Sequence, residues 1–190
     1  MTQCKPSKMV IPVIALSTLF LFLISYSNTF PGIASKNLKD SDQAHHLANH
    51  QNQKAISYSY PDSIHQWEDE IRSAASRYNL DPNLIAAVML QESGGNPDAY
   101  SYSGAVGLMQ VMPCDGIAAG FFCGASPCFK NRPTRAELFN PEFNVDYGAR
   151  MLAGLIQKHE NARDALKAYG PMDMAYEYAD IVLNIWALNQ

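Results

Sequence analysis

The sequence predicts an all-α, mainly helical domain that carries its chemistry in loops. Three observations predict it. Apolar residues recur at spacings of three and four from Ile64 onward, and Asp81-Pro82 and Asn140-Pro141 read as helix starts. No segment alternates polar and apolar side chains over a useful length. With 190 residues, 47% hydrophobic and 17% charged, the chain is long and apolar enough to bury a real core.

The elements follow in order. Lys5 and Lys8 precede an uncharged apolar run from Met9 to Tyr26, so residues 1–34 read as an export signal. The run is close to bilayer length, which suits an uncleaved anchor through residues 9–26. Gly32 to Ala34 supplies small residues for cleavage after Ala34, which suits a removed signal peptide. Residues 35–60 are polar, without an apolar stripe, and read as a linker. The folded domain is expected over 61–190. Ile64, Trp67, Ile71, Ala74, Ala75 and Tyr78 mark one amphipathic helix. Asp81 and Pro82 cap a second, "PNLIAAVMLQE", that is apolar nearly all round and is expected to run through the core. Gly94, Gly95 and Pro97 stop it. Further on, Thr134 to Glu137 forms a capping box, and Asn140-Pro141 opens a long helix with Phe143, Tyr147, Met151, Leu152 and Leu155 on one side. Asn161 is expected to cap "ARDALKAY", and Asp173 to cap "MAYEYADIVLNIWAL".

Charge narrows the partners. Residues 1–59 carry five Lys and two acidic side chains, a net +3; residues 60–190 carry nine Lys/Arg and sixteen Asp/Glu, a net −7. An acidic main domain argues against nucleic acid as a partner and against a general attraction to anionic membrane. Cys4 precedes the apolar run, while Cys114, Cys123 and Cys128 lie together. In an oxidising compartment one pair is expected and one thiol is left over. Cys123 and Cys128 bracket a Gly-Ala-Ser-Pro turn and are the favoured pair. No histidine stands at ligand spacing from these thiols, so neither metal nor cofactor is expected.

Glu92 is the residue that points to chemistry. It follows the apolar run Leu84 to Leu90 and lies near a helix C-terminus. Apolar surroundings and the negative helix end both disfavour a carboxylate, and both raise its pKa toward that of a general acid. The plainer reading is a solvated glutamate at a helix end. The glycines and small polar residues that follow, Gly104 and Gly107 among them, suit a loop that approaches a ligand closely. Sugars are bound by such backbone and by aromatic faces, and Tyr100, Tyr102, Tyr147 and Tyr169 are candidate platforms. Gln110 offers its amide either to a sugar acetamido group or to nearby backbone.

Glu92-Ser93, Asn96-Pro97, Ala99, Ser101, Gly104-Ala105, Gly107-Leu108-Met109-Gln110 and Met112-Pro113 together resemble the signature of the soluble lytic transglycosylase (SLT) family. This family, glycoside hydrolase family 23, shares the goose-type lysozyme fold. "NPEFNVDYGARMLAGLI" and "DALKAYG" are similar to its later helices, so the resemblance covers about residues 64–188. It implies a lysozyme-like domain in which Glu92 is the catalytic acid. Ser101, Met109, Gln110 and Tyr169 would line the saccharide groove. The chain departs from the family at Ala168-Tyr169-Gly170-Pro171-Met172, where Ala-Tyr-Asn-Ala-Gly is common, and in the cysteine-bearing insert 114–132.

The resemblance implies a murein lytic transglycosylase of the cell envelope, exported and either membrane-anchored or secreted. Its partner would be peptidoglycan glycan strands, and a monomer is expected. Most glycosidases pair two carboxylates. Asp98, Asp115, Glu142 and Asp146 are candidates for a second, and no spacing singles one out. A lytic transglycosylase needs one alone, because the sugar's own C6 hydroxyl replaces water and closes a 1,6-anhydro ring. The alternatives are a goose-type lysozyme that uses water and a glycan-binding module without turnover.

Overall fold

The structure is a computed structural model that describes residues 55–190. The expected signal, the anchor run 9–26, Cys4 and most of the linker lie outside the described residues. Helices dominate, as expected, in the order α1 (Asp62–His65), α2 (Glu68–Tyr78), α3 (Pro82–Ser93), α4 (Arg135–Leu138), α5 (Pro141–His159), α6 (Ala162–Tyr169) and α7 (Tyr176–Leu188). A 3-10 turn (Gly116–Gly120) and an antiparallel hairpin of β1 (Phe122–Cys123) and β2 (Ser126–Pro127) stand between α3 and α4. No helix among the described residues is long and apolar enough to cross a membrane.

α3 is the central element. Every residue from Pro82 to Met89 is buried, as its nearly uniform apolar sequence requires. Asp81 accepts the Asn83 amide at 2.8 Å with Pro82 in the first turn, and Gly94 closes the helix at φ 62°. α2 packs on α3 and α5, α5 on α6, and α6 and α3 on α7, so the core lies around α3.

Several local expectations change. The first helix is broken at Gln66-Trp67, because Trp67 turns its indole N–H to the Gly95 carbonyl at 3.0 Å and packs on the core. The linker ends earlier than residue 60. Ile56 and Tyr60 are buried, Tyr60 donates to the Asn83 carbonyl at 2.8 Å, and the Ser57 amide donates to Asn83 Oδ1 at 2.8 Å. The buried face of α5 is Asn144, Val145, Gly148, Ala149 and Leu152, rotated from the expected side, with Phe143 exposed. Small residues and one amide there let a loop pack closely. Asp173 does not cap α7. Residues 171–174 form a turn closed by the Met174 amide on the Pro171 carbonyl, and the helix begins after Ala175 with no side-chain cap. Asn140, Asn161 and the Thr134–Glu137 capping box are placed as expected.

Candidate active site

Glu92 lies in the last turn of α3, only partly exposed. α7 runs beside α3 and places Tyr178 against it: the Tyr178 hydroxyl donates to Glu92 Oε1 at 2.5 Å. Burial pushes the Glu92 carboxyl up to about 7, and the Tyr178 hydrogen bond holds it below where burial alone would put it. Tyr178 itself is pushed far above the ordinary phenol value, by burial first and by the Glu92 charge second. It therefore stays protonated and acts as a fixed donor. Near neutral pH this carboxyl is therefore close to the midpoint between its protonated and charged forms.

That hydrogen bond has a direction that can be measured. Tyr178→Phe leaves burial in place and removes the donor, so the midpoint of Glu92 is expected to move upward from about 7. Carboxyl titration of selectively labelled protein checks it. A midpoint that stays put or falls would mean that Tyr178 does not govern the proton.

The other residues singled out from sequence are held in different ways. Tyr169 stands beside Glu92; burial and then the Glu92 charge raise its pKa, and its hydroxyl donates to the Met109 carbonyl at 3.0 Å. Met109 is fully buried, so its side chain fills the wall, and contact with a ligand would fall to its backbone. Gln110 sits at φ 44° and gives its Nε2 to the Ala99 and Gly107 carbonyls at 3.2 and 2.9 Å. Of its two sequence readings, backbone support is the one the geometry shows. Ser101 accepts the Ala105 amide at 2.9 Å and closes the turn before that wall. Tyr147 is half-buried, with Arg150 over its ring at 4.7 Å.

Gly104 and Gly107 have a different reason from the expected one. Both have positive φ, but a side chain at 107 would strike Asn144 Nδ2 at 2.4 Å and one at 104 would press on Ile117 and Ala118. Their close approach is to the protein's own framework. Asn144 is the residue that sequence reasoning missed. Fully buried, it accepts the Met109 amide and donates to the Val106 and Leu138 carbonyls, each at 2.8 Å. Its signal was an amide on a helix flanked by apolar residues. Ser93 adds a second tie, donating to the Leu108 carbonyl at 2.8 Å.

The departure at Gly170 also has a structural counterpart. A Cβ there would lie 2.3 Å from Tyr178 Cδ1, so the Tyr178 ring fills the space that a side chain at 170 would need. In the insert, Cys123 and Cys128 form a disulfide across the hairpin. Cys114 is disulfide-bonded too, so the expected leftover thiol is not found among the described residues. Within the insert, the Cys123–Cys128 disulfide closes the hairpin covalently.

The candidate second carboxylates are engaged elsewhere. Asp146 binds Arg77 and accepts from the Tyr78 hydroxyl at 2.8 Å, and Asp115 accepts the Arg135 amide at 2.6 Å. Glu142 and Asp146 line a cleft with Asp69, Glu70 and Arg77 that Glu92 does not line. Asp98 is exposed. No cluster of three or more His, Cys, Asp or Glu among the described residues is placed to hold a metal.

The fold and site define a helical domain with a half-buried carboxyl of raised pKa at the end of its central helix. The Transglycosylase SLT domain family model matches residues 69–172, more than half of the chain, and the chain belongs to that family. The chain is 36% identical over 107 residues to the membrane-bound lytic murein transglycosylase E of Buchnera aphidicola subsp. Acyrthosiphon pisum, covering 56% of this chain and 45% of that protein. It is 45% identical over 83 residues to the membrane-bound lytic murein transglycosylase C of Actinobacillus pleuropneumoniae serotype 5b, covering 44% and 22%. A transglycosylase of Enterobacteria phage PRD1 is 35% identical over 104 residues, covering 55% and 34%. The chain spans less than half the length of each of these relatives. The family match includes Glu92 and stops before Tyr178.

Proposed function

We propose that this protein is a murein lytic transglycosylase that cleaves the β-1,4 bond between N-acetylmuramic acid and N-acetylglucosamine. The observation that carries the reading is the single carboxyl of Glu92, held near neutral pKa by burial and Tyr178, while the other candidate carboxylates among the described residues are engaged elsewhere or exposed. Membership of the SLT family and similarity to membrane-bound lytic murein transglycosylases support the substrate class.

In the reaction, protonated Glu92 gives its proton to the glycosidic oxygen as the bond to C1 breaks. The resulting Glu92 carboxylate takes the proton from the C6 hydroxyl of the same muramic residue. That oxygen closes on C1, and the atoms balance with no water consumed. A pKa of about 7 serves both halves, since one group must act first as acid and then as base. A second carboxylate is unnecessary because the nucleophile is already attached to the sugar. Tyr147 and Tyr169 offer ring faces to the glycan, and Ser101 and the Met109-Gln110 backbone form the wall. The named relatives are membrane-bound, which supports a place in the cell envelope, with residues 9–26 as signal or anchor.

Mass spectrometry of fragments released from purified murein tests the reading. The expected muramic ends are anhydro, lower in mass by one water than reducing ends. Reducing ends throughout would make the protein a lysozyme. No release at all would make it a binding module.

A further inference from the structure

The cysteine-bearing insert 114–132 ends on a cation, Arg132. Its two ends are tied by the Cys114 amide on the Pro133 carbonyl at 2.9 Å, and the Cys123–Cys128 disulfide closes the hairpin between them. Phe129 leaves the hairpin and packs edge-on to Phe121, with centroids 6.1 Å apart. Residues 129–132 then turn, with the Arg132 amide on the Phe129 carbonyl at 2.9 Å, and the Arg132 guanidinium stacks 4.7 Å over the Phe129 ring. The scaffold is stiff, and a charge stands at its end.

Arg132 is half-buried and has no carboxylate partner among the described residues. The guanidinium's one hydrogen bond among the described residues, to the Met112 carbonyl, is 3.5 Å long. The polar side chains that feel its charge are Tyr147 and Tyr169, the two ring platforms of the groove. Tyr169 feels the Glu92 charge as well. The guanidinium reaches the Met112 carbonyl, two residues past Met109-Gln110, and so stands along that stretch of the wall. A partly desolvated cation without a counter-ion is unfavourable until an anion joins it, and the planar fork of arginine fits a carboxylate at two points.

We propose that Arg132 forms an anion subsite that takes a carboxylate on the side arm of a muramic residue next to the scissile bond. The inference rests on the glycan reading above. In a murein strand the sugars' rings are neutral, and negative charge resides on the lactyl arm. That arm carries either its own free carboxylate or a stem peptide with carboxylates of its own. The insert thereby makes the groove selective for the arm, and the disulfide holds the selecting group in place.

Binding measured by calorimetry in the Glu92→Gln background, where ligand is not consumed, tests this. Three probes of equal length are compared: a neutral N-acetylglucosamine oligomer, murein glycan stripped of peptide, and murein glycan bearing peptide. Adding Arg132→Gln is expected to weaken at least one of the two charged glycans about tenfold or more and to leave the neutral oligomer unchanged. Arg132→Lys is expected to fall between, since it keeps the charge and loses the fork. The probe that loses affinity names the source, lactyl or peptide. Equal loss on the neutral oligomer, or no loss on either charged glycan, overturns the subsite. If the Glu92→Gln protein binds none of the probes, the glycan reading falls and the subsite with it. Unchanged binding of the neutral oligomer also reports that the variant is folded.

Discussion

Glu92→Gln is expected to lower murein cleavage by about a thousandfold or more, because glutamine neither protonates the glycosidic oxygen nor receives the C6 proton. The same variant should be more stable than the parent above neutral pH. In the folded protein Glu92 keeps its proton up to about pH 7, whereas the ordinary value is 4.5. Its favourable contribution is therefore complete below about pH 4.5 and is lost as pH rises through about 7. At pH 8 the buried carboxylate opposes folding by about 3 kcal/mol, an opposition that glutamine removes. Urea unfolding of both proteins at pH 8 and pH 4 checks it, with a gain expected only at pH 8. A variant that is inactive but no more stable at pH 8 would place the carboxylate in solvent. Such a result would undo the explanation of its proton affinity.

Asn144→Leu carries the largest expected loss of stability. Leucine keeps the branched shape but is larger and has no polar atom, so the change removes the hydrogen bonds and crowds their former partners. It leaves the Met109 amide and the Val106 and Leu138 carbonyls buried without their partner. Each such group costs about 1–3 kcal/mol, and a total near 4 kcal/mol is expected. Asn144→Asp keeps the acceptor for the Met109 amide and loses both donors, so it should also destabilise. The midpoint of urea unfolding gives the magnitude, and hydrogen exchange at the Met109 amide gives the place. A loss of less than about 1 kcal/mol in Asn144→Leu would show that the 104–111 loop does not depend on this clamp.

What sequence could read was whatever is written locally. The caps at Asp81, Thr134, Asn140 and Asn161 are short-range hydrogen bonds between neighbours, and all four stand where residue type placed them. Glu92 was legible because an acid at the end of an apolar helix is anomalous in itself. Tyr178 was not, since its partner is 86 positions away and nothing in α7 distinguishes one inward tyrosine from a core residue. Arg132 was hidden for a similar reason. Its meaning comes from the hairpin fold that carries it, and a basic residue in a loop otherwise reads as surface. The failures at Trp67 and Asp173 are tertiary as well: the Gly95 carbonyl drew the indole away from a continuous helix, and the 171–174 turn displaced the cap.

The residues just before α1 tie two distant places together. Ser57 grips Asn83 in the first turn of α3, and Ser59 grips Asn189 at the end of α7. Glu92 and Tyr178 occupy the opposite ends of those same two helices. Mechanically, a pull on the entering chain is shared by both helices from one end. The Glu92–Tyr178 pair sits at the other end, like the jaws of tongs held at the handles.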